Sequence, residues 1–253
     1  MTFRGLLYLL LLSALPAFAQ PAEFEVKYGG LLSEFVRDGK VDYAGLSSDF
    51  GRVEECIQSF ADVSAREFDG WTVPRRLAYL INYYNCTVLS IVAKSYPITS
   101  IRKAGGWFGG DPYDWRVVQL FGRSTTLNIL QRNYILRDYA EPGALLAICQ
   151  GARGSPPLRG EPYTSDRLYD QIADQARIIL QTPPNGIDRD RKRMYVPNVF
   201  RLYANDFARN SGSVEEYIRR ISPKEWGLDE MGRFSVSYNK FDWRLNDAGQ
   251  HDK

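Results

Sequence analysis

The sequence predicts an α+β protein: a single domain with helices packed on a small central sheet. Three observations carry this expectation. Apolar residues recur at spacings of three and four over Tyr28–Arg37 and Pro74–Tyr96, the period of an amphipathic helix. Shorter segments such as Phe234–Tyr238 alternate apolar and polar residues, as strands do. Ala144–Cys149, an uncharged run bounded by turn residues, reads as a fully buried central strand. A chain of 253 residues, 44% hydrophobic and 25% charged, has the composition of an ordinary globular domain, and no repeat or composition break marks a second one. A net charge of +2 argues against a nucleic-acid partner, which calls for a basic face.

The elements follow in order. Met1–Ala19 has the form of a signal peptide: Arg4, an apolar stretch Gly5–Leu15, and the small-x-small site Ala17-Phe18-Ala19. Cleavage after Ala19 leaves a domain of residues 20–253 in an exported compartment, periplasmic or secreted. No other stretch approaches membrane-spanning length. Tyr28–Arg37 and Asp49–Phe60 read as helices, with Val41-Asp42-Tyr43 a short extended piece between them. Pro74 opens the clearest helix and Pro97 ends it. Asn82 and Asn85 are neighbours on this helix near its apolar stripe, where an amide must be hydrogen-bonded. They either tie neighbouring loops to the helix or line a cleft.

Trp115–Phe121 reads as a strand, Gly122–Ser124 as a turn, and Thr126–Leu136 as a helix carrying Gln131, Arg132 and Asn133. After Ala144–Cys149 comes a polar, glycine-rich loop with Gln150, Arg153 and Ser155, stopped by Pro156-Pro157. Strand exits of this kind often hold sites. Tyr163–Leu180 contains a helix with Asp166 at its start, and Thr182–Arg193 is a loop. Tyr195-Val196 and Phe234–Tyr238 are strands, Val199–Phe207 and Val214–Ile221 are helices, and 247–253 is a polar tail. Three cysteines, Cys56, Cys86 and Cys149, leave at least one that is unpaired or pairs between chains. With no CxxC or Cys/His cluster, no metal of the usual zinc spacing is expected, and no cofactor.

Several segments together resemble domain-of-unknown-function family 547. They are Asn82-Tyr83-Tyr84-Asn85, Tyr96-Pro97 with Ser100-Ile101-Arg102, and Ile135-Leu136-Arg137. Gly151-Ala152-Arg153 with Pro156-Pro157-Leu158, and Phe241-Asp242-Trp243-Arg244-Leu245-Asn246, complete the order over about residues 27–246. The resemblance implies an α+β architecture and a cleft. In the family the strand and loop resemble H-F-A-L-N-C-G-A-x-S-C-P-P. Its His falls on Leu145, its first Cys on Gln150 and its second on Ser155, and Arg132 stands where Glu is usual. A thiol-histidine-carboxylate site is the natural guess for such a family, and every member of it is substituted here. The sole His, His251, lies in the polar tail and cannot be held as a base for Ser155.

Two functions are compatible with this. One is an exported binding or interaction domain lacking the family's presumed catalytic groups. The other is a hydrolase or acyl-transferase that uses unidentified residues such as Ser155. The candidate cleft residues are Asn82, Asn85, Arg132, Asn133, Gln150, Arg153, Ser155, Arg159 and Trp243. Their amide, guanidinium and hydroxyl groups suit a small anionic or peptide-like ligand.

Overall fold

The computed structural model describes residues 22–106, 109–209 and 211–249. The expected signal peptide, its cleavage site and His251 lie outside these. The α+β class holds. Helices dominate, and the strands form separate small sheets: two two-stranded hairpins and one three-stranded sheet.

Two apolar cores organise the chain. The first gathers helices Glu23–Phe35, Tyr43–Ser48, Phe50–Ala61 and Val73–Ser95. Thr72 precedes the last of these and Pro74 sits in its first turn, where its missing N–H costs nothing. This helix is buried on nearly every side from Leu77 to Ala93. Phe60 is at the centre of the core, with its ring 5.0 Å from Tyr83 and 4.9 Å from Phe24. The second core joins the far end of Leu168–Gln181, the short helices Val199–Leu202, Ala204–Arg209, Val214–Ile221 and Leu228–Met231, and the three-stranded sheet. In that sheet Arg193–Val196 pairs antiparallel with Gly186–Asp188 and parallel with Ser235–Tyr238. Gly186–Asp188 falls in the stretch expected to be loop, and the expected helix Val199–Phe207 is broken at Tyr203.

The main correction concerns Ala144–Cys149. The run is buried throughout, as expected, but Ala144–Ala147 is one turn of helix and the chain then runs extended and unpaired. The Leu145 and Leu146 N–H groups donate to the carbonyls of Pro142 and Gly143, which starts the turn. Leu145 and Leu146 enter the second core, while Ala144, Ala147, Ile148 and Cys149 enter the first. The segment is uniformly apolar because it is a partition between two cores, not a strand in a sheet.

Smaller differences have local causes. The strand expected over Trp115–Phe121 shortens to Val118–Leu120 and pairs with Arg123–Thr125. Phe121 and Gly122 both have positive φ (54° and 74°), the geometry of a tight hairpin turn. Thr126 caps the next helix by accepting from the Ile129 N–H. After Ile129 the helix widens to a π-helical stretch, Leu130–Arg137. Asp166 precedes Leu168–Gln181 without capping it.

Candidate functional site

Where the two cores meet there is a cleft of about 790 Å³. One wall is the hairpin turn Asp38-Gly39-Lys40, between strands Val36–Arg37 and Lys40–Val41. The second is the loop Ala152–Ser155 with Pro157. The third is made by Thr182–Asn185, Pro197-Asn198 and Asn239-Lys240 of the second core, and the fourth by the C-terminal segment, from Asp242 to Asp247.

Backbone pairing holds this last wall. Arg153 N–H donates to the Arg244 carbonyl (2.8 Å) and Gly154 N–H to that of Asp242 (2.9 Å). Val41 N–H donates to the Asn246 carbonyl, and Ala248 N–H returns to Val41. The contact is close enough to require glycine: a Cβ on Gly154 would stand 2.4 Å from the Asp242 nitrogen. Asp247 and Ala248, expected in the polar tail, are therefore part of the fold. Asp247 is 1% exposed, and its carboxylate accepts from the Tyr96 hydroxyl and the Gly249 N–H.

The cleft is polar and carries charges of both signs. Arg244 clasps Asp242, donating from Nε to both carboxylate oxygens at 3.0 Å, and this holds the Asp242 carboxyl below its ordinary value. Lys40 and Lys240 are exposed at the rim and make no ion pair among the described residues. Asn239 Nδ2 donates to Asn185 Oδ1 (2.8 Å), fixing the second-core side. Asn246 accepts from the Tyr43 hydroxyl (2.9 Å) and donates to the Gly39 carbonyl (3.2 Å), fixing the other.

Two groups with nucleophilic atoms lie at the floor. Ser155 is nearly buried, and its hydroxyl donates to the Ala152 carbonyl at 2.7 Å. That proton is committed to backbone, and no base is within its hydrogen bonds. Behind it, Cys149 Sγ lies 3.7 Å from Ser155 Oγ and accepts from Asn246 Nδ2 at 3.6 Å. Burial pushes the Cys149 thiol up, against the opposing pull of its polar contacts with Gly151, Ser155 and Asn246. It is a protonated thiol at neutral pH and a poor nucleophile. Among the described residues, no cluster of three or more metal-ligating side chains occurs.

Of the residues expected to form the site, Arg153 and Ser155 line this cleft. The others are placed elsewhere. Asn82 and Asn85 are 1% and 2% exposed, and both are spent on backbone. Asn82 brackets Tyr163, donating to its carbonyl (2.8 Å) and accepting from its N–H (3.0 Å). Asn85 donates to the Ala147 carbonyl and accepts from the Cys149 N–H, each at 2.9 Å. Trp243 packs on Phe241 (4.3 Å) beneath the Arg102 guanidinium (4.8 Å). Arg132 is exposed and Asn133 half-buried on the π-helical stretch.

Gln150 belongs to a tyrosine cluster. Its carbonyl accepts from the Tyr113 hydroxyl at 2.6 Å, and its side chain approaches the Tyr84 hydroxyl without hydrogen-bond geometry. Tyr203 accepts from Gln131 Nε2 (2.8 Å). Its pKa is raised by burial and drawn back by the nearby Arg132 charge. Neither Arg132 nor Gln150 lines the cleft. Lys40, Lys240, Asn185, Asn198, Asn239 and Asp247 line the cleft and carry no spacing signal, because they come from turns far apart in sequence.

Arg159 is taken up by ion pairs. It bridges Asp174 (2.6 Å) and Glu161 (2.8 Å), and Arg167 and Gln171 also donate to Glu161. These bonds, that of Arg159 first, lower the Glu161 carboxyl from its ordinary 4.5 to about 2. A carboxyl lowered on folding stabilises above its unfolded value and loses that contribution as pH falls. Glu161 is 40% exposed, so its share is small, below about 1 kcal/mol. Melting curves of the native protein and Glu161→Gln should differ at pH 6 and converge as pH falls from 4.5 toward 2.

Phe68 to Ile178, the first core's long helix and the Cys149–Pro157 floor, is the segment that aligns with a known family. Residues 68–178 match the family model described as Protein of unknown function, DUF547. No curated protein and no solved structure matches the chain. The DUF547 match covers part of the chain, narrower than the 27–246 expected from the motifs. Arg153 and Ser155 fall inside it. Lys40, Asn185, Asn198, Asn239 and Lys240 fall outside it.

Proposed function

We propose that this is an exported binding protein whose cleft takes a small anionic or peptide-like ligand and does not turn it over. The observation that carries this is the pairing of two rim cations, Lys40 and Lys240, with a floor that has no activated nucleophile. Two ammonium groups without ion pairs attract carboxylate or phosphate, and the amides of Asn185, Asn198 and Asn239 offer donors and acceptors to a backbone-like ligand. The positions where DUF547-like sequences carry His, Cys and Glu fall here on Leu145, Gln150, Ser155 and Arg132, none of which supplies a base. Export rests on the signal-peptide pattern of Met1–Ala19.

The test is a calorimetric titration with a short acidic peptide such as triglutamate. Reversing both rim charges in Lys40→Glu/Lys240→Glu should weaken binding about five- to thirtyfold, at roughly 0.5–1 kcal/mol per screened charge. Arg132→Glu, which reverses a charge elsewhere, is the control and should bind as the native protein does. Equal affinity in the double variant sinks the cleft assignment. Hydrolysis or acyl transfer that disappears in Ser155→Ala would instead establish the enzyme reading.

A further inference from the structure

Cys56 sits on helix Phe50–Ala61 and Cys86 on helix Val73–Ser95, the two helices that pack most closely in the first core. Both side chains are fully buried, and the Cys86 thiol donates to Cys56 Sγ across 3.4 Å. The third sulfur is apart from them: Cys149 Sγ has Ser155 and Asn246 as its neighbours. Two of three cysteines therefore meet thiol to thiol across a helix interface, with the sulfurs already in contact.

We propose that Cys56 and Cys86 form a disulfide that staples these two helices when the chain folds in an oxidising compartment, and that Cys149 remains a thiol. A disulfide needs the sulfurs at about 2.05 Å, so each moves by less than ~1 Å, within the reach of side-chain rotation. The oxidant is an external disulfide, small-molecule or protein-borne. One cysteine thiolate attacks it and expels a first thiolate, giving a mixed disulfide. The second cysteine then attacks the protein sulfur of that bond and expels the other. The two cysteines are oxidised by two electrons, the external disulfide is reduced to two thiols, and the two cysteine protons pass to the expelled thiolates. Full burial closes this route in the packed protein, so exchange takes place before the two helices dock.

The compartment belongs to the function proposed above, but the pair itself does not depend on it, and the two are separable by experiment. The mature chain is reduced and unfolded, refolded in glutathione disulfide with glutathione, and alkylated in denaturant. The expected result is one alkylated cysteine, a mass lower by two hydrogens, and a linked Cys56–Cys86 peptide in a non-reducing map. The melting temperature of this form should exceed that of the reduced protein by on the order of 10 °C, from the loop that the bond closes in the unfolded chain. Cys149→Ser should still give the linked peptide, and Cys56→Ser should not. Three alkylated thiols in refolded, cooperatively melting protein, or a bond to Cys149, overturns the proposal. Protein isolated from the exported fraction without refolding gives the same readout where refolding fails. A linked peptide after refolding but three thiols in the isolated protein would reject stapling during natural folding and count against export.

Discussion

Phe60→Ala should cost the protein about 3–5 kcal/mol, the range for truncating a fully buried ring. Phe60 is 0% exposed, and its ring meets those of Phe24, Tyr28, Tyr79 and Tyr83, the last nearly parallel at 9°. Truncation leaves a cavity between the two helices that carry Cys56 and Cys86. Tyr79 ties the same corner by donating its hydroxyl to the Phe60 carbonyl (2.8 Å), a backbone bond that the substitution leaves in place. The loss is therefore one of packing, and Phe60→Leu should recover a large part of it. Urea denaturation with an unchanged slope checks the prediction, and a measured loss below about 1 kcal/mol would mean that the first core repacks freely.

The helix around which this core forms was legible in the chain because its stripe runs without a break from Leu77 to Val92 and Pro74 marks its first turn. The turn expected over Gly122–Ser124 was legible from its glycine and lies one residue earlier, at Phe121-Gly122, where both residues have positive φ. Ala144–Cys149 was not. An apolar run has a readable period only when polar residues mark an outward face, and this one has no outward face, since each side meets a different core. The cleft was legible only at Arg153 and Ser155, which sit on the glycine-rich loop. Its other walls are ordinary turns in sequence. Docking of the second core against the hairpin at Asp38–Lys40 and the segment from Asp242 to Asp247 makes them a site. Asn82 and Asn85 show the opposite case. Their types and spacing singled them out, and the physical demand behind the signal was backbone satisfaction.

Asn85→Ala should accordingly destabilise by about 2–6 kcal/mol, more than the volume of one amide accounts for. The side chain is a two-point clamp: it donates to the buried Ala147 carbonyl and accepts from the buried Cys149 N–H, where the chain leaves its single helical turn and becomes extended. Removing it strands a donor and an acceptor away from water, each at about 1–3 kcal/mol. Asn85→Asp separates this account from simple loss of packing. The ionised carboxylate still accepts from the Cys149 N–H but faces the Ala147 carbonyl with negative charge, whereas the protonated carboxyl accepts from one and donates to the other. Its pKa in the fold is then raised above its unfolded value, so its contribution is present at low pH and lost as pH rises through the folded value. Measured against the native protein at each pH, the Asn85→Asp penalty should shrink on going from pH 7 to pH 4, while the Asn85→Ala penalty should not. Because Cys149 backs Ser155 and Asn246 on the cleft floor, Asn85→Ala should also weaken ligand binding at temperatures where the protein is still folded. Equal pH profiles for the two variants would show that the amide fills space and clamps nothing.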